Sequence, residues 1–245
     1  MKNHYAGDVG DLSKFALLKS LRKAHPGEQV RILWYLTPDD SSDKETEDDR
    51  FTHYKELYGC DPYLYRDLQE VAAGEPRRIS DFRRLGLTAG IAEFDEALDT
   101  STMTASSRMS ARRAWFARAL TKVVDCPFVL LDPDNGLQPQ SVQSTNVNAD
   151  KYALRSELEN LHTRGKTVIC YQHSTRAKPF SSLLLETLST LPGSFALRWH
   201  RLQARAYLVW PAIGRERGVE MWSEDLVEGP WKTHFTMVPH QARST

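Results

Sequence analysis

The stretch Val129-Leu130-Leu131-Asp132-Pro133-Asp134-Asn135-Gly136 decides the fold class. Its apolar half is typical of a buried β-strand, and the proline and the glycine leave no room for the strand to continue. Open α/β sheets present reactive groups in this way, because their ligands bind beyond the carboxyl ends of the strands. An ordinary turn initiated by an aspartate explains the same residues without any function.

Further strands and helices alternate along the chain. Apolar runs predict strands at residues 30–36, 127–131, 167–173, 194–200 and 204–210, the last two as an antiparallel pair. Helical spacing predicts helices at residues 12–23, 88–98, 110–124, 151–164 and 183–191. This order indicates a three-layer, Rossmann-like α/β fold with a mostly parallel sheet and a late antiparallel strand. We expect a single domain over residues 1–245, with a helical insertion at about 45–120.

Charge and cysteine content restrict the environment and the partners. Lys and Arg number 32, as do Asp and Glu, so the molecule has no net field to gather nucleic acid. Three cysteines without metal-ligand spacing indicate a reducing compartment. No apolar run approaches the roughly 20 residues needed to cross a bilayer, and the N-terminus lacks a signal-peptide core. We therefore expect a cytoplasmic protein without a membrane partner.

Basic residues are nevertheless clustered in part of the chain. The clusters are Arg77-Arg78, Arg83-Arg84, Arg108 and Arg112-Arg113. A local basic face could hold a phosphate backbone, although exposed arginines are more often only a solvated surface.

The N-terminal segment, residues 3–15, is dense in polar and turn-forming residues just before a helix. Gly7 permits close approach of the backbone, and Asp11 fits the N-cap of the helix that follows. Capping does not explain His4, Asp8 and Lys14. We expect these three side chains to lie together near a helix mouth, where anionic or adenine-like ligands can be held.

The same segment resembles the start of the J-type family of ribosomal RNA adenine-N6-methyltransferases. That family opens with His-Ala-Gly-Asn-x-Ala-Asp-Val-x-Lys-His, and residues 5–15 align to this pattern without a gap, coinciding at Ala6-Gly7, Asp11 and Lys14. Asp132-Pro133-Asp134-Asn135 falls where the family keeps Asp-Pro-Pro-Tyr or Asp-Pro-Pro-Phe. The late strand that ends before Pro211 resembles the family's closing strand.

The resemblance implies an enzyme that uses S-adenosylmethionine and methylates adenine N6 in nucleic acid, either RNA or DNA. It implies that Asp132 holds the target amino group and that Lys14 lies near the cofactor. The expected catalytic residues are Asp132, Lys14 and Asp134. The expected cofactor-binding residues are Tyr5, Gly7, Asp8, Lys14, Thr37 and Asp39.

Differences from the family pattern leave two alternatives open. The loop after Leu36 lacks the family's glycines, and Asn135 stands in place of the aromatic residue that stacks on a base. Carboxylates from Asp39, Asp132 and Asp134 would repel one another unless protonated or bound to a cation, and such ligands suit Mg²⁺ or Mn²⁺. The first alternative is therefore a metal-dependent nuclease or nucleotide hydrolase. The second is a non-catalytic module that binds nucleic acid or protein.

Both enzymatic interpretations depend on convergence of these acidic side chains. They lie at predicted strand ends or helix mouths that should meet at one edge of the sheet: Asp8, Asp39, Asp40, Asp132 and Asp134. His173, at the end of another predicted strand, could act there as a general base or a ligand. A solvated acidic loop explains Asp39 and Asp40 as well, and a polar cap explains the histidine.

Overall fold

A computed structural model describes residues 2–38, 51–175, 177–202 and 204–240. Within these ranges the main sheet has seven strands: β1 (Val30–Trp34), β2 (Ile91–Phe94), β3 (Phe128–Asp132), β6 (Thr167–His173), β7 (Phe195–Trp199), β8 (Arg205–Trp210) and β9 (Phe235–Val238). A small parallel pair consists of β4 (Gly136–Leu137) and β5 (Tyr152–Ala153). The α-helices of the same ranges are α1 (Val9–Ala24), α2 (Pro62–Ala72), α3 (Ser80–Arg84), α4 (Ala105–Lys122), α5 (Arg155–Thr163), α6 (Phe180–Leu188) and α7 (Glu216–Glu228).

The strand order of the main sheet is β2-β1-β3-β6-β8-β7-β9. The first four of these strands are parallel, β8 is antiparallel to both of its neighbours, and β9 is antiparallel to β7. This arrangement confirms the predicted mostly parallel sheet with a late antiparallel strand. The chain leaves β1 toward β2 on one side and continues with β3 on the other, so a topological switch lies between β1 and β3. Ligands of open α/β sheets bind at such a switch.

Two apolar cores cover the two faces of the sheet. Neighbouring residues of a buried strand point to opposite faces, so Leu130 packs with α1, α2 and α7, while Leu131 packs with α4, α5 and α6. Continuous apolar runs are typical of strands covered on both faces. The three-layer, Rossmann-like class therefore follows from the sequence pattern.

The predicted helix at residues 88–98 is wrong, because this segment forms the edge strand β2, which pairs in parallel with β1 from Ile91 opposite Val30. Ile91, Phe94 and Leu98 are its buried apolar residues, and their spacing imitates a helical period. The predicted helical insertion thus contains, from residue 55 onward, the helices α2, α3 and α4 and also the strand β2, which joins the sheet. Residues 45–50 lie outside the described residues.

The three cysteines are free in the described structure. Cys126 and Cys170 are buried, Cys60 is partly buried, and none of the three forms a disulfide. Among the helices of the described ranges, none combines the length and the apolar character that crossing a membrane requires.

Candidate functional site at the carboxyl edge of the sheet

The first turn of α1 carries two aspartates with different tasks. The Asp8 side chain accepts a hydrogen bond from the Asp11 backbone N–H at 3.0 Å, which makes Asp8 the N-cap. The predicted N-cap, Asp11, is therefore wrong by three residues. Its carboxylate lies inside the protein, where it accepts a hydrogen bond from the Gly7 N–H at 2.9 Å. The helix thus begins at Val9.

Lys14 joins the start of α1 to the end of β3. Its Nζ lies 2.7 Å from Asp11 Oδ1 and 2.9 Å from Asp132 Oδ2, and all three side chains are buried. The same Nζ lies 4.7 Å from the ring centroid of Trp34 in β1. Burial lowers the pKa of Lys14, but Asp11 and Asp132 raise it more, so the net shift is upward and the ammonium stays protonated. The structure therefore brings together Lys14 and Asp132, two of the expected catalytic residues.

The buried carboxyl of Asp11 should make stability depend on pH. Burial raises its pKa from 3.8 to about 6, with Lys14 opposing the rise. The folded protein therefore holds this proton more tightly than the unfolded chain between about pH 4 and pH 6. The free energy of unfolding should fall as pH rises through that window, by up to about 1.4 kcal/mol per pH unit.

Urea unfolding of the wild type and of Asp11→Asn across this pH range measures the effect. As pH rises from 4 to 6, the free energy of unfolding of the wild type should fall relative to that of Asp11→Asn. Parallel pH profiles of the two proteins would show that Asp11 titrates in its ordinary range.

The third expected catalytic residue, Asp134, lies at the rim of the switch between β1 and β3. Asp134 follows β3, and Thr37 follows β1 on the other side of the crevice. The Thr37 hydroxyl lies 3.4 Å from Asp134 Oδ2. Tyr5 is exposed at the N-terminal segment, whereas Gly7 is buried against α2. Asp39, the remaining expected cofactor contact, lies outside the described residues, as does Asp40.

A second charged group lies at the start of β8, beside the N-cap. Arg205 is buried, and its Nη1 lies 3.9 Å from Asp8 Oδ1. His173 is the register partner of Arg205 on β6, and its Nδ1 is hydrogen-bonded to the Tyr171 hydroxyl at 2.9 Å. Burial and Arg205 lower the pKa of His173, whereas Asp8 and Asp134 raise it, and the net shift is downward. Asp8, Asp134 and His173 therefore share one edge of the sheet.

The described carboxylates of this edge do not form a group that could hold a metal ion, while Asp39 and Asp40 lie outside the described residues. Within the part of the chain that the structure describes, no three His, Cys, Asp or Glu side chains are grouped so that they could hold a metal ion. Of the alternative metal set, Asp132 is already neutralised by the Lys14 ammonium. Asp134 contacts Thr37, and Asp39 is outside the described residues. The predicted need for a cation is thus met at Asp132 by a lysine.

Gln172 fixes the turn that follows β3, and sequence reasoning did not single it out. Its Oε1 accepts a hydrogen bond from the Leu137 N–H at 3.0 Å, and its Nε2 donates to the Asn135 carbonyl at 3.3 Å. Gly136 has φ +106°, and a Cβ there would lie 2.7 Å from the Gln172 carboxamide. The available signal in the sequence was a glutamine inside a mostly apolar predicted strand.

A cavity of about 420 Å³ lies at the carboxyl ends of β1 and β2. Its lining consists of Asn3, Leu36, Pro76, Arg77, Arg78, Ile79, Ser80, Arg83, Glu93 and Asp95. None of the expected catalytic or cofactor-binding residues is among them. The cavity is nevertheless at the predicted edge, on the β2 side of β1.

Two carboxylates at the end of β2 form one wall of this cavity. Glu93 accepts hydrogen bonds from Trp34 Nε1 at 2.9 Å and from Arg83 Nε at 3.2 Å, and its side chain is 6 % exposed. Asp95 accepts from Arg83 Nη2 at 3.3 Å and is 52 % exposed. Glu93 is thus fixed, and Asp95 is accessible. The sequence did not reveal them because residues 88–98 read as a helix.

The basic clusters serve different purposes. Arg112 is buried and binds both carboxylate oxygens of Glu157 at 2.8 Å, and Arg108 is buried with its guanidinium on backbone carbonyls. These two arginines therefore stabilise the fold and do not offer a phosphate-binding face. Arg77, Arg78 and Arg83 instead line the cavity.

The fold and this edge together define a Rossmann-like α/β protein with a cavity and a buried lysine–aspartate pair beyond its parallel strands. No protein-family model, curated protein or solved structure that was compared with the chain matches it.

Proposed function

We propose that the protein is a methyltransferase-like enzyme that uses S-adenosylmethionine and acts on nucleic acid, with adenine N6 as the target. The cofactor proposal rests on the cavity at the ends of β1 and β2, which has carboxylates on its β2 side. The nucleic-acid target rests on the resemblance of residues 5–15 and 132–135 to the adenine-N6-methyltransferases.

The chemistry of the lining fits an adenosyl cofactor. Leu36, Pro76 and Ile79 provide apolar surface, and Asp95 offers an accessible acceptor for ribose hydroxyls. An acidic residue at the end of the second strand has this role in Rossmann-type sites. The volume of about 420 Å³ lies within the range of cofactor pockets, roughly 300–1,000 Å³. When bound, S-adenosylmethionine supplies an electrophilic methyl group.

The residues of β3 and of the turn after it have separate parts in this proposal. Asp132 is buried and held by Lys14, so it positions the turn that follows. Asp134 is half-buried at the crevice and can accept a hydrogen bond from an exocyclic amino group. Gln172 holds the backbone of the same turn.

Asp95→Ala tests the cofactor proposal. Because the variant loses a charged acceptor in the cavity, we expect its affinity for S-adenosylhomocysteine to fall by about tenfold. The matched control is Glu96→Ala, since Glu96 is 43 % exposed, pairs with Arg118 and does not line the cavity. Isothermal titration calorimetry measures both, and transfer of a labelled methyl group from S-adenosylmethionine to RNA and DNA measures the activity.

Wild-type protein should bind S-adenosylhomocysteine with one site per chain, and Glu96→Ala should bind it equally well. If neither cofactor form binds the wild type, the methyltransferase proposal is wrong. Equal affinity of Asp95→Ala and the wild type would remove Asp95 from the cofactor site.

A further inference from the structure

We infer that Arg78 forms an anion subsite in the cavity at the ends of β1 and β2, so that its ligand is a nucleoside bearing a carboxylate or a phosphate group. The inference deepens the proposed function and rests on it for the identification of this cavity as the cofactor site. Its basis is the distribution of partners among the arginines around the cavity.

Neighbouring arginines have carboxylate partners. Arg83 donates to Glu93 and Asp95 inside the cavity. Arg84, which does not line the cavity, lies 2.9 Å from Glu70 Oε1 and 3.2 Å from Asp81 Oδ1. These guanidinium groups are therefore neutralised within the protein.

Arg78 lines the cavity and is exposed. Over the described ranges of the chain, its guanidinium forms no ion pair and donates no hydrogen bond. Both carboxylates of the described lining, Glu93 and Asp95, bind Arg83, so they do not neutralise Arg78. An uncompensated charge in a concave site attracts a ligand of the opposite sign.

The lining therefore has two chemical ends. Asp95 accepts hydrogen bonds from hydroxyl groups, and Arg78 offers donors in the planar geometry that matches a carboxylate or a phosphate. A nucleoside ligand with an anionic group satisfies both ends. S-adenosylmethionine carries such a group as its amino-acid carboxylate, and a nucleotide carries it as a phosphate.

Calorimetric titration of the full chain with three probes tests the subsite. S-adenosylhomocysteine carries a carboxylate, AMP carries a phosphate, and 5′-methylthioadenosine carries neither. We expect wild type to bind an anionic probe about tenfold more tightly than 5′-methylthioadenosine. Arg78→Gln should abolish this difference, and the control Arg84→Gln should retain it.

The outcomes separate the two proposals. Loss of AMP binding in Arg78→Gln, with no binding of S-adenosylhomocysteine to any variant, would support the subsite and overturn the methyltransferase proposal. Equal affinity of the wild type for S-adenosylhomocysteine and 5′-methylthioadenosine, unchanged in Arg78→Gln, would overturn the subsite and leave the proposed function intact. Failure of all three probes to bind would overturn both.

Discussion

Replacing Lys14 by methionine is expected to lower the free energy of unfolding by about 3–5 kcal/mol, because it leaves buried carboxylates without their cation. Asp11 and Asp132 both lie within 3 Å of the ammonium, at 2.7 and 2.9 Å, and neither can reach bulk water. Methionine keeps much of the side-chain volume, so the loss reports charge and not a cavity. Urea denaturation at neutral pH measures the change.

Lys19→Met is the matched control on the same helix. Lys19 pairs with Asp61 at the surface, where its side chain is 61 % exposed, so we expect a loss below about 1 kcal/mol. Adding Asp132→Asn to Lys14→Met should recover part of the stability, because it removes one of the orphaned charges. Losses of similar size for the two lysine variants would contradict the assignment of Lys14 as a buried counter-ion.

Gly7→Ala should cost about 2–5 kcal/mol, through left-handed backbone strain and overpacking against α2. Gly7 has φ +86°, and a Cβ there would lie 2.6 Å from the Ala72 amide nitrogen and 2.9 Å from its Cα. These are backbone atoms of α2, so they cannot rotate away. Chemical denaturation measures the loss, and a shift of the α2 amide resonances would locate it.

Gly27→Ala separates strain from contact. Gly27 has φ +83°, but among the described residues no heavy atom beyond its chain neighbours lies within 4 Å of the position of its Cβ, so this substitution should cost only about 1–2 kcal/mol of strain. The difference between the two variants then measures the close approach of the N-terminal segment to α2. Equal losses for both substitutions would contradict the close packing of this segment against α2.

Much of the fold could be predicted because the central strands are covered on both faces. Residues 128–131 and 167–170 are buried without interruption, so both segments are almost entirely apolar. Such short apolar runs are typical of strands covered on both faces, whereas an amphipathic helix has polar residues on its exposed face. The edge strand β2 was missed for the opposite reason. Only two of its four residues are buried, and their spacing of three residues matches a helix as well as a strand.

The candidate site was predictable in its residues more than in its contacts. Asp132 was predicted as a site residue from the turn after β3, and Lys14 from the polar segment at the start of α1. The two residues are 118 positions apart, so the sequence did not show that they form an ion pair. Arg112 was predicted as a possible phosphate contact because it lies in a basic cluster. Its actual acceptor, Glu157, lies 45 residues away, so the sequence did not show that the two side chains pair. Long-range polar contacts of this kind depend on the tertiary arrangement of the sheet.

The most direct test of the proposed cofactor site is hydrogen–deuterium exchange of the wild-type protein with and without saturating S-adenosylhomocysteine. We expect slower amide exchange at Leu36, in residues 77–83 and in residues 93–95, the segments that contain most of the cavity lining. Exchange that is unchanged at these positions, or slowed only elsewhere on the molecule, would contradict it.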